Sequence, residues 1–247
     1  MTRWLVAGLA LLLLGAAPAP HSGYQDASPE VRAMQDDDIA NPAMLWVQQG
    51  EALWAEPAGT SGQSCAGCHG VVASMRGVAA RYPAYDPALG RPVLLEQRIN
   101  QSRTTHQGAA ALAGDDLLAV AALIGMQSRG MAIAVDPTGA AAPFAAAGET
   151  LFRTRMGQLN LSCAQCHDDL AGQRLGGARI PQGHPNGYPL YRLEWQSIGS
   201  LYRRLRNCIT GVRAEPFAAD SDERVALEFY LAVRARGLAV ETPGVRP

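Results

Sequence analysis

The chain has 247 residues, 48% of them hydrophobic, and its 21 Lys and Arg residues nearly balance its 22 Asp and Glu residues. That length suits one large domain or two domains of roughly 100 residues each. The balanced charge, the lack of basic runs and the 6% aromatic content argue against nucleic-acid binding.

The N-terminus has the pattern of an export signal. Arg3 supplies a positive charge, Leu5 to Ala16 form an apolar run too short to span a bilayer, and small residues and prolines follow. We predict a signal peptide over residues 1–20 and export to a bacterial periplasm; a buried helix is the alternative. Residues 20–40 are polar and loop-like. No later stretch is apolar enough to cross a membrane, so we expect no membrane span after signal removal.

A repeat organises the rest of the chain. Gly-Glu-Ala-Leu-Trp at residues 50–54 and Gly-Glu-Thr-Leu-Phe at residues 148–152 each lead to a Cys-x-x-Cys-His motif. In both copies the glutamate precedes the first cysteine of the motif by 14 positions, and a serine stands directly before that cysteine. Self-similarity of this kind indicates two homologous domains.

The two motifs are Cys-Ala-Gly-Cys-His at residues 65–69 and Cys-Ala-Gln-Cys-His at residues 163–167. In this signature two thiols attach one haem through its vinyl groups, and the histidine binds the iron as proximal ligand. We predict two covalently bound haem c groups. Zinc or redox sites would need further ligands that no spacing supplies, and a disulfide framework leaves the histidines unexplained. The predicted attachment and ligand residues are Cys65, Cys68 and His69, then Cys163, Cys166 and His167.

Each motif is followed by a segment that begins with acidic residues and ends with Arg-Gly, at residues 115–130 and 222–237. This polarity is typical of a helix with a glycine stop. Leu117, Val120 and Ile124 share one helical face, whereas residues 225–233 are apolar nearly all round. We predict a mostly α fold of two tandem cytochrome c-like domains. They span residues 21–135 and 140–247 and are joined by a linker at residues 136–139.

The second half lacks one common haem ligand. A low-spin electron-transfer haem takes a second axial ligand, often methionine, and no methionine follows Cys166. His184 and Cys208 are the candidates. Arg204 precedes Cys208 by one helical turn, and nearby cations favour thiolate, which is both a metal ligand and a nucleophile. A buried structural cysteine beside solvated arginines is the alternative.

Two further segments carry a family resemblance. Gln-Gly-His-Pro-Asn-Gly-Tyr-Pro at residues 182–189 and Arg-Leu-Arg-Asn-Cys at residues 204–208 are not general cytochrome features. Together with the two haem motifs they make the chain resemble SoxA over about residues 35 to 245. SoxA is the dihaem cytochrome subunit of the SoxAX complex, the L-cysteine S-thiosulfotransferase of bacterial sulfur oxidation.

The resemblance implies a mechanism. It makes Cys208 the distal ligand of the active-site haem, found as a persulfide, and Arg204 a contact of the anionic substrate. The implied reaction joins thiosulfate to a cysteine of a SoxYZ-like sulfur carrier and passes two electrons to cytochromes. The implied partner subunit is a monohaem SoxX-like cytochrome. Arginine suits an oxyanion because it offers paired planar donors, and a soft sulfur can carry sulfur covalently.

The first half departs from the family pattern. Aligning the halves places Ser102 over Cys208, where dihaem members have a second cysteine ligand. A serine hydroxyl is a poor ligand for low-spin iron. His106 is the leading substitute, with Met126 and Met131 as alternatives. A high-spin, water-ligated or partner-ligated first haem also stays open, in which case His106 is a surface residue.

Two other functions remain open from the residues alone. A dihaem electron carrier of the cytochrome c4 type would have a methionine ligand after each motif. Another dihaem thiosulfate enzyme would couple two thiosulfates to tetrathionate without a carrier protein. The arginine–cysteine spacing favours the SoxA-like function through the resemblance.

Overall fold

The computed structural model describes residues 19–247. The predicted signal peptide lies, but for its last two residues, outside the described residues. Across residues 19–247 no helix is long and apolar enough to cross a membrane. The described chain is mostly helical, as predicted, with a few short strands.

The first half is built from five helices and one hairpin within the described residues. The Tyr82–Pro83 dipeptide precedes the hairpin, and a π-helical turn at Arg103–Gln107 follows the fourth helix. The elements in chain order are α1 (Pro29–Asp36), α2 (Met44–Ala55), α3 (Cys65–His69), β1 (Ala84–Asp86), β2 (Arg91–Val93), α4 (Leu95–Ser102) and α5 (Gly114–Met126).

The second half repeats this order with additions. An antiparallel hairpin follows the second motif, and a last strand pairs in parallel with the first strand of the next hairpin. The elements are α6 (Ala142–Arg153), β3 (Arg174–Leu175), β4 (Ala178–Arg179), β5 (Leu190–Arg192), β6 (Ser197–Gly199), α7 (Leu201–Gly211), α8 (Asp222–Arg234) and β7 (Gly244–Arg246).

In each half the helix before the motif packs on the C-terminal helix, α2 on α5 and α6 on α8. The glycine of each repeated Gly-Glu pair lies at the crossing. A Cβ at Gly50 would collide with the carbonyl of Ala119, and one at Gly148 would collide with the carbonyl of Ala226. The repeat therefore includes a glycine because the two backbones approach too closely for any side chain.

Local sequence explains where α8 begins and ends. The Ser221 side chain accepts a hydrogen bond from the Arg224 amide, Asp222 and Glu223 lie in the first turn, and Gly237 takes a left-handed φ of 85° beyond the end. Its residues 225–232 are all buried, as their apolar pattern predicts. The sequence places Leu117, Val120 and Ile124 on one apolar face of α5, whereas in the structure all of residues 119–125 are buried.

The burial of α5 on every side has a simple cause. Helix α2 covers one side, and the segment around Thr242 from the second half covers another, so that a Cβ at Gly125 would lie 2.6 Å from the Thr242 side chain. The halves are also joined by backbone hydrogen bonds between the segments that follow α5 and α8. Gly130 N–H donates to Val240 O and Ile133 N–H donates to Leu238 O.

Residues 19–36 pack against the second half. The amide of His21 donates to the Gln182 side chain, and Val31 packs with Val245 of β7. The Gln35 side chain accepts a hydrogen bond from the Val245 amide. This part of the polar segment at residues 20–40 therefore includes a helix, α1, and helps to wall the site described next. The predicted domain boundaries stay predictions.

Candidate functional site

A cavity of about 730 Å³ lies in the second half, between the second motif and α7. Leucines of α7 and α8 and Phe152 of α6 give it apolar walls, while arginines and a tyrosine give it polar ones. Its volume lies in the usual range for cofactor sites. The lining residues used below are Cys163, His167, Gly183, His184, Tyr188, Arg192, Arg204, Cys208 and Arg246.

The second motif begins at a capped turn. Ser162 accepts a hydrogen bond from the Gln165 amide, and the Gln165 side chain accepts one from the Ser162 amide. This reciprocal cap fixes the turn that carries Cys163 and Cys166, both half-buried. Burial, and then the proximity of Cys208, raises the pKa of the Cys163 thiol to about 11. Burial therefore favours the neutral Cys163 thiol, although the charge of Arg234 acts in the opposite direction.

His167 has a fixed orientation. Its Nδ1 lies 2.7 Å from the carbonyl oxygen of Pro181, so Nδ1–H donates there and Nε2 keeps a free lone pair. Burial lowers the pKa of His167, which favours the neutral ring. Gly183 passes so close that a Cβ would lie 3.1 Å from the imidazole. A neutral histidine with one nitrogen hydrogen-bonded to a backbone carbonyl fits the proximal ligand of a haem.

Helix α7 forms the opposite wall. Ser200 caps its N-terminus by accepting a hydrogen bond from the Arg203 amide. Arg204 and Cys208, one turn apart, both line the cavity. The structure thus brings together in one cavity the two catalytic residues predicted from the sequence and the second motif. Among the described residues, the Arg204 side chain has no hydrogen-bond or ion-pair partner.

Other polar groups of the cavity escaped the sequence analysis. Arg192 of β5 and Arg246 of β7 are register partners in the parallel strand pair. Burial raises the pKa of the Tyr188 hydroxyl to about 12, with Arg204 and Arg192 acting in the opposite direction. Tyr188 belongs to the loop that carries the family resemblance, but the two strand arginines lie far apart in sequence. No local pattern identifies them.

His184, the other candidate ligand of the second half, lines the cavity next to Gly183. Its Nε2 lies 3.0 Å from the Gln182 side-chain oxygen. Its buried Nδ1 has no hydrogen-bond partner among the described residues. Burial lowers the pKa of His184 to about 4. The ring sits in the loop that supports His167, whereas Cys208 sits on the facing helix, so Cys208 has the better position for a distal ligand.

The first motif has different surroundings. Cys68 and His69 are exposed, and the His69 ring lies 5.8 Å from the Trp54 ring. The Gln107 side chain donates to the Gln63 carbonyl and lies 3.8 Å from the Cys65 sulfur. None of the motif residues lines the large cavity. The two motifs therefore share the Cys-x-x-Cys-His pattern but not the same surroundings.

The structure aligns Ser102 with Cys208. Each is the eighth residue of the helix that follows a hairpin, α4 in the first half and α7 in the second. Beyond them the halves differ, because the left-handed Gly108 lies six positions after Ser102 and the left-handed Arg213 five after Cys208. A π-helical turn accommodates the extra residue in the first half.

His106 lies on this π-helical turn and is exposed. Met126, one alternative ligand, packs at the edge of the core cluster that also contacts Cys65, and Met131 packs in a different cluster. The assignment of a distal ligand to the first haem stays a prediction.

The first and second halves also match known proteins. A sequence model of the SoxA/TsdA cytochrome c domain matches residues 49–133 and 147–240. The SoxA subunit of L-cysteine S-thiosulfotransferase from Rhodovulum sulfidophilum is 40% identical over 91% of this chain and 79% of its own length. The one from Chlorobaculum tepidum is 35% identical over 83% of this chain and 72% of its own length.

A solved structure agrees with these sequences. The crystal structure of SoxXA from P. pantotrophus matches 92% of this chain and 87% of its own chain, with a TM-score of 0.89 and 38% sequence identity. The family model, the relatives and the solved structure all indicate one kind of protein. The cytochrome c fold of the family implies bound haem c, which the second-half cavity fits. The chain belongs to the SoxA family of cytochrome c proteins.

Proposed function

We propose that this chain is the catalytic subunit of an L-cysteine S-thiosulfotransferase and acts at the second-half cavity. One observation carries the proposal. Arg204 and Cys208 lie one helical turn apart on α7 and line the same cavity as Cys163 and His167. An anion-binding group and a sulfur nucleophile thus share a pocket with a cofactor attachment motif. The names of the relatives, as L-cysteine S-thiosulfotransferase subunits, agree with this chemistry.

The overall reaction is an oxidation. A carrier cysteine thiol and thiosulfate form a new S–S bond between the cysteine sulfur and the terminal sulfur of thiosulfate. The thiol releases one proton, and the pair of sulfur atoms loses two electrons. The product keeps one negative charge on its sulfonate. The protein must therefore bind a dianion, admit a thiol and remove electrons.

The residues of the cavity divide these tasks. The Arg204 guanidinium, which has no partner within residues 19–247, binds the oxyanion end of thiosulfate through paired N–H donors. That contact turns the terminal sulfur toward Cys208, one turn further along α7. Cys208 and the terminal sulfur of thiosulfate would form an S–S bond, with loss of one proton and two electrons; the carrier thiolate would then attack that former terminal sulfur and displace the Cys208 thiolate. Haem c would be held by Cys163, Cys166 and His167 and would accept the electrons one at a time.

The remaining parts of the proposal follow the family. The first motif holds a second haem c, the partner subunit is a SoxX-like cytochrome, and the cysteine substrate belongs to a SoxYZ-like carrier. The crystal structure that matches this chain contains SoxX with SoxA, which supports the first partner. The apolar run at residues 5–16 supports export to the periplasm. If a haem assay of the purified protein gives one haem per chain, the prediction of a second haem is wrong.

Replacing Cys208 tests the catalytic assignment. We expect Cys208→Ser to lower thiosulfate-dependent turnover with the carrier by at least about a thousandfold, the scale at which removal of a nucleophile acts. Asn207→Ala is the matched control, because Asn207 is the exposed neighbour on the same helix. Haem absorption and circular dichroism of both variants check that they are folded and loaded.

Two results contradict the proposal. Undiminished turnover in Cys208→Ser excludes Cys208 as the catalytic thiol. If the wild type converts thiosulfate to tetrathionate as fast without the carrier as it turns over with it, the carrier cysteine is not the substrate.

A further inference from the structure

Arg192 is a half-buried arginine that the mechanism above does not use. It lies on β5, lines the large cavity, and exposes 15% of its side chain. Its Nε is buried and has no hydrogen-bond partner among residues 19–247. An unpaired buried guanidinium N–H is unfavourable unless an acceptor occupies the position it faces. Such a group in a cavity wall therefore points to a bound ligand as its acceptor.

The protein partner of Arg192 is weak. Its only carboxylate contact among the described residues is Glu194, at 3.1 Å from a terminal nitrogen, and that side chain is 62% exposed. An exposed carboxylate two residues away contributes little because water screens it. Arg246, the register partner on β7, has stronger partners in Glu241 and Gln35. Arg192 and Arg204 are thus two under-neutralised cations of the cavity that lie on packed elements, whereas Arg174 and Arg179 lie on the exposed hairpin β3–β4.

Arg192 and Arg204 act on the same point of the cavity. Both line the cavity together with Tyr188, and the charge of each lowers the pKa of the Tyr188 hydroxyl. Burial and then the charge of Arg204 lower the pKa of Arg192. Two cations held near each other in a partly dry pocket repel, and a dianion between them removes that repulsion. A monoanion compensates one of the two charges.

We propose that Arg192 and Arg204 form a two-arginine clamp that selects a divalent oxyanion, with Arg192 as a second substrate-binding residue. This inference rests on the proposed function, because it concerns the substrate of the same cavity. Strand β5 supplies one guanidinium of the clamp and helix α7 the other, in a cavity that Tyr188 also lines. Doubly charged thiosulfate or sulfate then binds much more tightly than a singly charged anion of similar size.

Trp195 provides a matched control. The Arg192 guanidinium lies 5.2 Å from the Trp195 ring centre, and the Arg203 guanidinium lies 4.2 Å from the same ring centre. Arg203 is exposed, donates to the Ser197 hydroxyl and does not line the cavity. Arg192→Gln and Arg203→Gln therefore remove the same charge beside the same ring, one inside the cavity and one outside.

The experiment uses the haem-loaded complex with its partner subunit and measures binding and turnover separately. Isothermal titration with sulfate, an unreactive dianion, gives Kd, and assays with thiosulfate and the carrier give KM and kcat. For Arg192→Gln we expect Kd for sulfate and KM for thiosulfate to rise roughly tenfold to a hundredfold, with kcat within about threefold. Nitrate affinity changes by less than about threefold, and Arg203→Gln changes nothing.

Two results overturn the clamp. Equal Kd and KM in Arg192→Gln and the wild type exclude Arg192 from substrate binding. A shifted haem reduction potential with unchanged sulfate affinity shows instead that Arg192 pairs with the carboxylates of the haem. The sulfate titration needs no turnover, so it still decides the role of Arg192 if the wild type proves inactive with the carrier.

Discussion

Gly183 shows how one residue can affect the surroundings of the second motif. It has a left-handed φ of 75°, and a Cβ there would lie 3.1 Å from the Cγ and Nδ1 atoms of His167. Pro181, two residues before Gly183, supplies the carbonyl that fixes the His167 ring. The glycine therefore lets the loop supply a hydrogen bond without pressing on the ring.

Alanine substitution separates the two roles of this glycine. We expect Gly183→Ala and Gly172→Ala to lower the free energy of unfolding by about 1–2 kcal/mol each, because both positions have left-handed backbones. Only Gly183→Ala should change the electron paramagnetic resonance signal of the haem, since a Cβ at Gly172 meets no atom within 4 Å. Identical signals in both variants would show that Gly183 does not set the ring position.

At the scale of elements, the helix pairs decide the architecture of each half. Helices α2 and α5, like α6 and α8, cross at a glycine where no Cβ fits. A side chain there must push the backbones apart, and every apolar contact along the crossing weakens with it. Phe152, four residues after Gly148, packs against Tyr230 of α8 at a ring-centre distance of 5.6 Å and depends on that crossing.

The crossing of α6 and α8 gives a stability prediction. We expect Gly148→Ala to lower the free energy of unfolding by about 3 kcal/mol, because its Cβ would lie 2.6 Å from the Tyr230 Cβ and collide with the Ala226 carbonyl. Denaturant titration measures it. Gly211→Ala on α7 is the control: its Cβ meets nothing within 4 Å, and a gain of at most about 1 kcal/mol is expected from helix propensity. Equal stability of Gly148→Ala and the wild type would contradict the close crossing.

Within the elements, the hairpin β3–β4 distinguishes the two halves. Tyr188 follows His167 by 21 positions, whereas Tyr82 follows His69 by 13. The additional residues include the hairpin, whose Arg174 and Arg179 line the large cavity. An element present in one half only therefore contributes to the difference between the surroundings of the two motifs.

At the scale of the whole molecule, a buried acid lies between the halves. Glu228 of α8 lines a small cavity of about 100 Å³ together with Glu96 of α4 and with residues of α5. Its carboxylate accepts a hydrogen bond from Arg224 Nε at 2.7 Å. Burial raises the pKa of Glu228 to about 7; Arg224 acts in the opposite direction and Glu96 in the same direction.

The raised pKa of Glu228 predicts how stability varies with pH. Between its ordinary value of 4.5 and about 7, the folded protein keeps a proton that the unfolded chain has released. The free energy of unfolding therefore falls as the pH rises through this window, by up to about 3 kcal/mol from this group. Below pH 4.5 both states hold the proton, and the group contributes no pH dependence.

Glu228→Gln removes the titrating group and keeps an acceptor for Arg224. We expect denaturant titrations to show a smaller loss of stability between pH 5 and pH 8 in the variant than in the wild type. Parallel profiles for the two proteins would mean that Glu228 titrates near its ordinary pKa when folded.

The sequence predicted the mostly α fold, the repeat and the family, and it predicted that Arg204 would lie one turn from Cys208. These features are local: an attachment motif, a helix period or a glycine stop is contained in a few consecutive residues. It placed the buried surface of α5 too narrowly, because burial depends on the segment around Thr242, which packs there from the other half. Residues 19–36 looked like loop for the same reason, since their partners lie near the C-terminus.

What the sequence determined by itself was the chemistry of the second half: a covalent attachment motif, a histidine and a cysteine with an arginine one turn before it. Tertiary structure decided which groups surround that chemistry. Arg192 and Arg246 meet because β5 and β7 pair in parallel, across 54 positions of sequence. Tertiary structure also placed the second motif in the wall of a large cavity and left Cys68 and His69 of the first exposed. Charge, burial and cavity shape depend on packing between distant segments, and a motif specifies only its own turn.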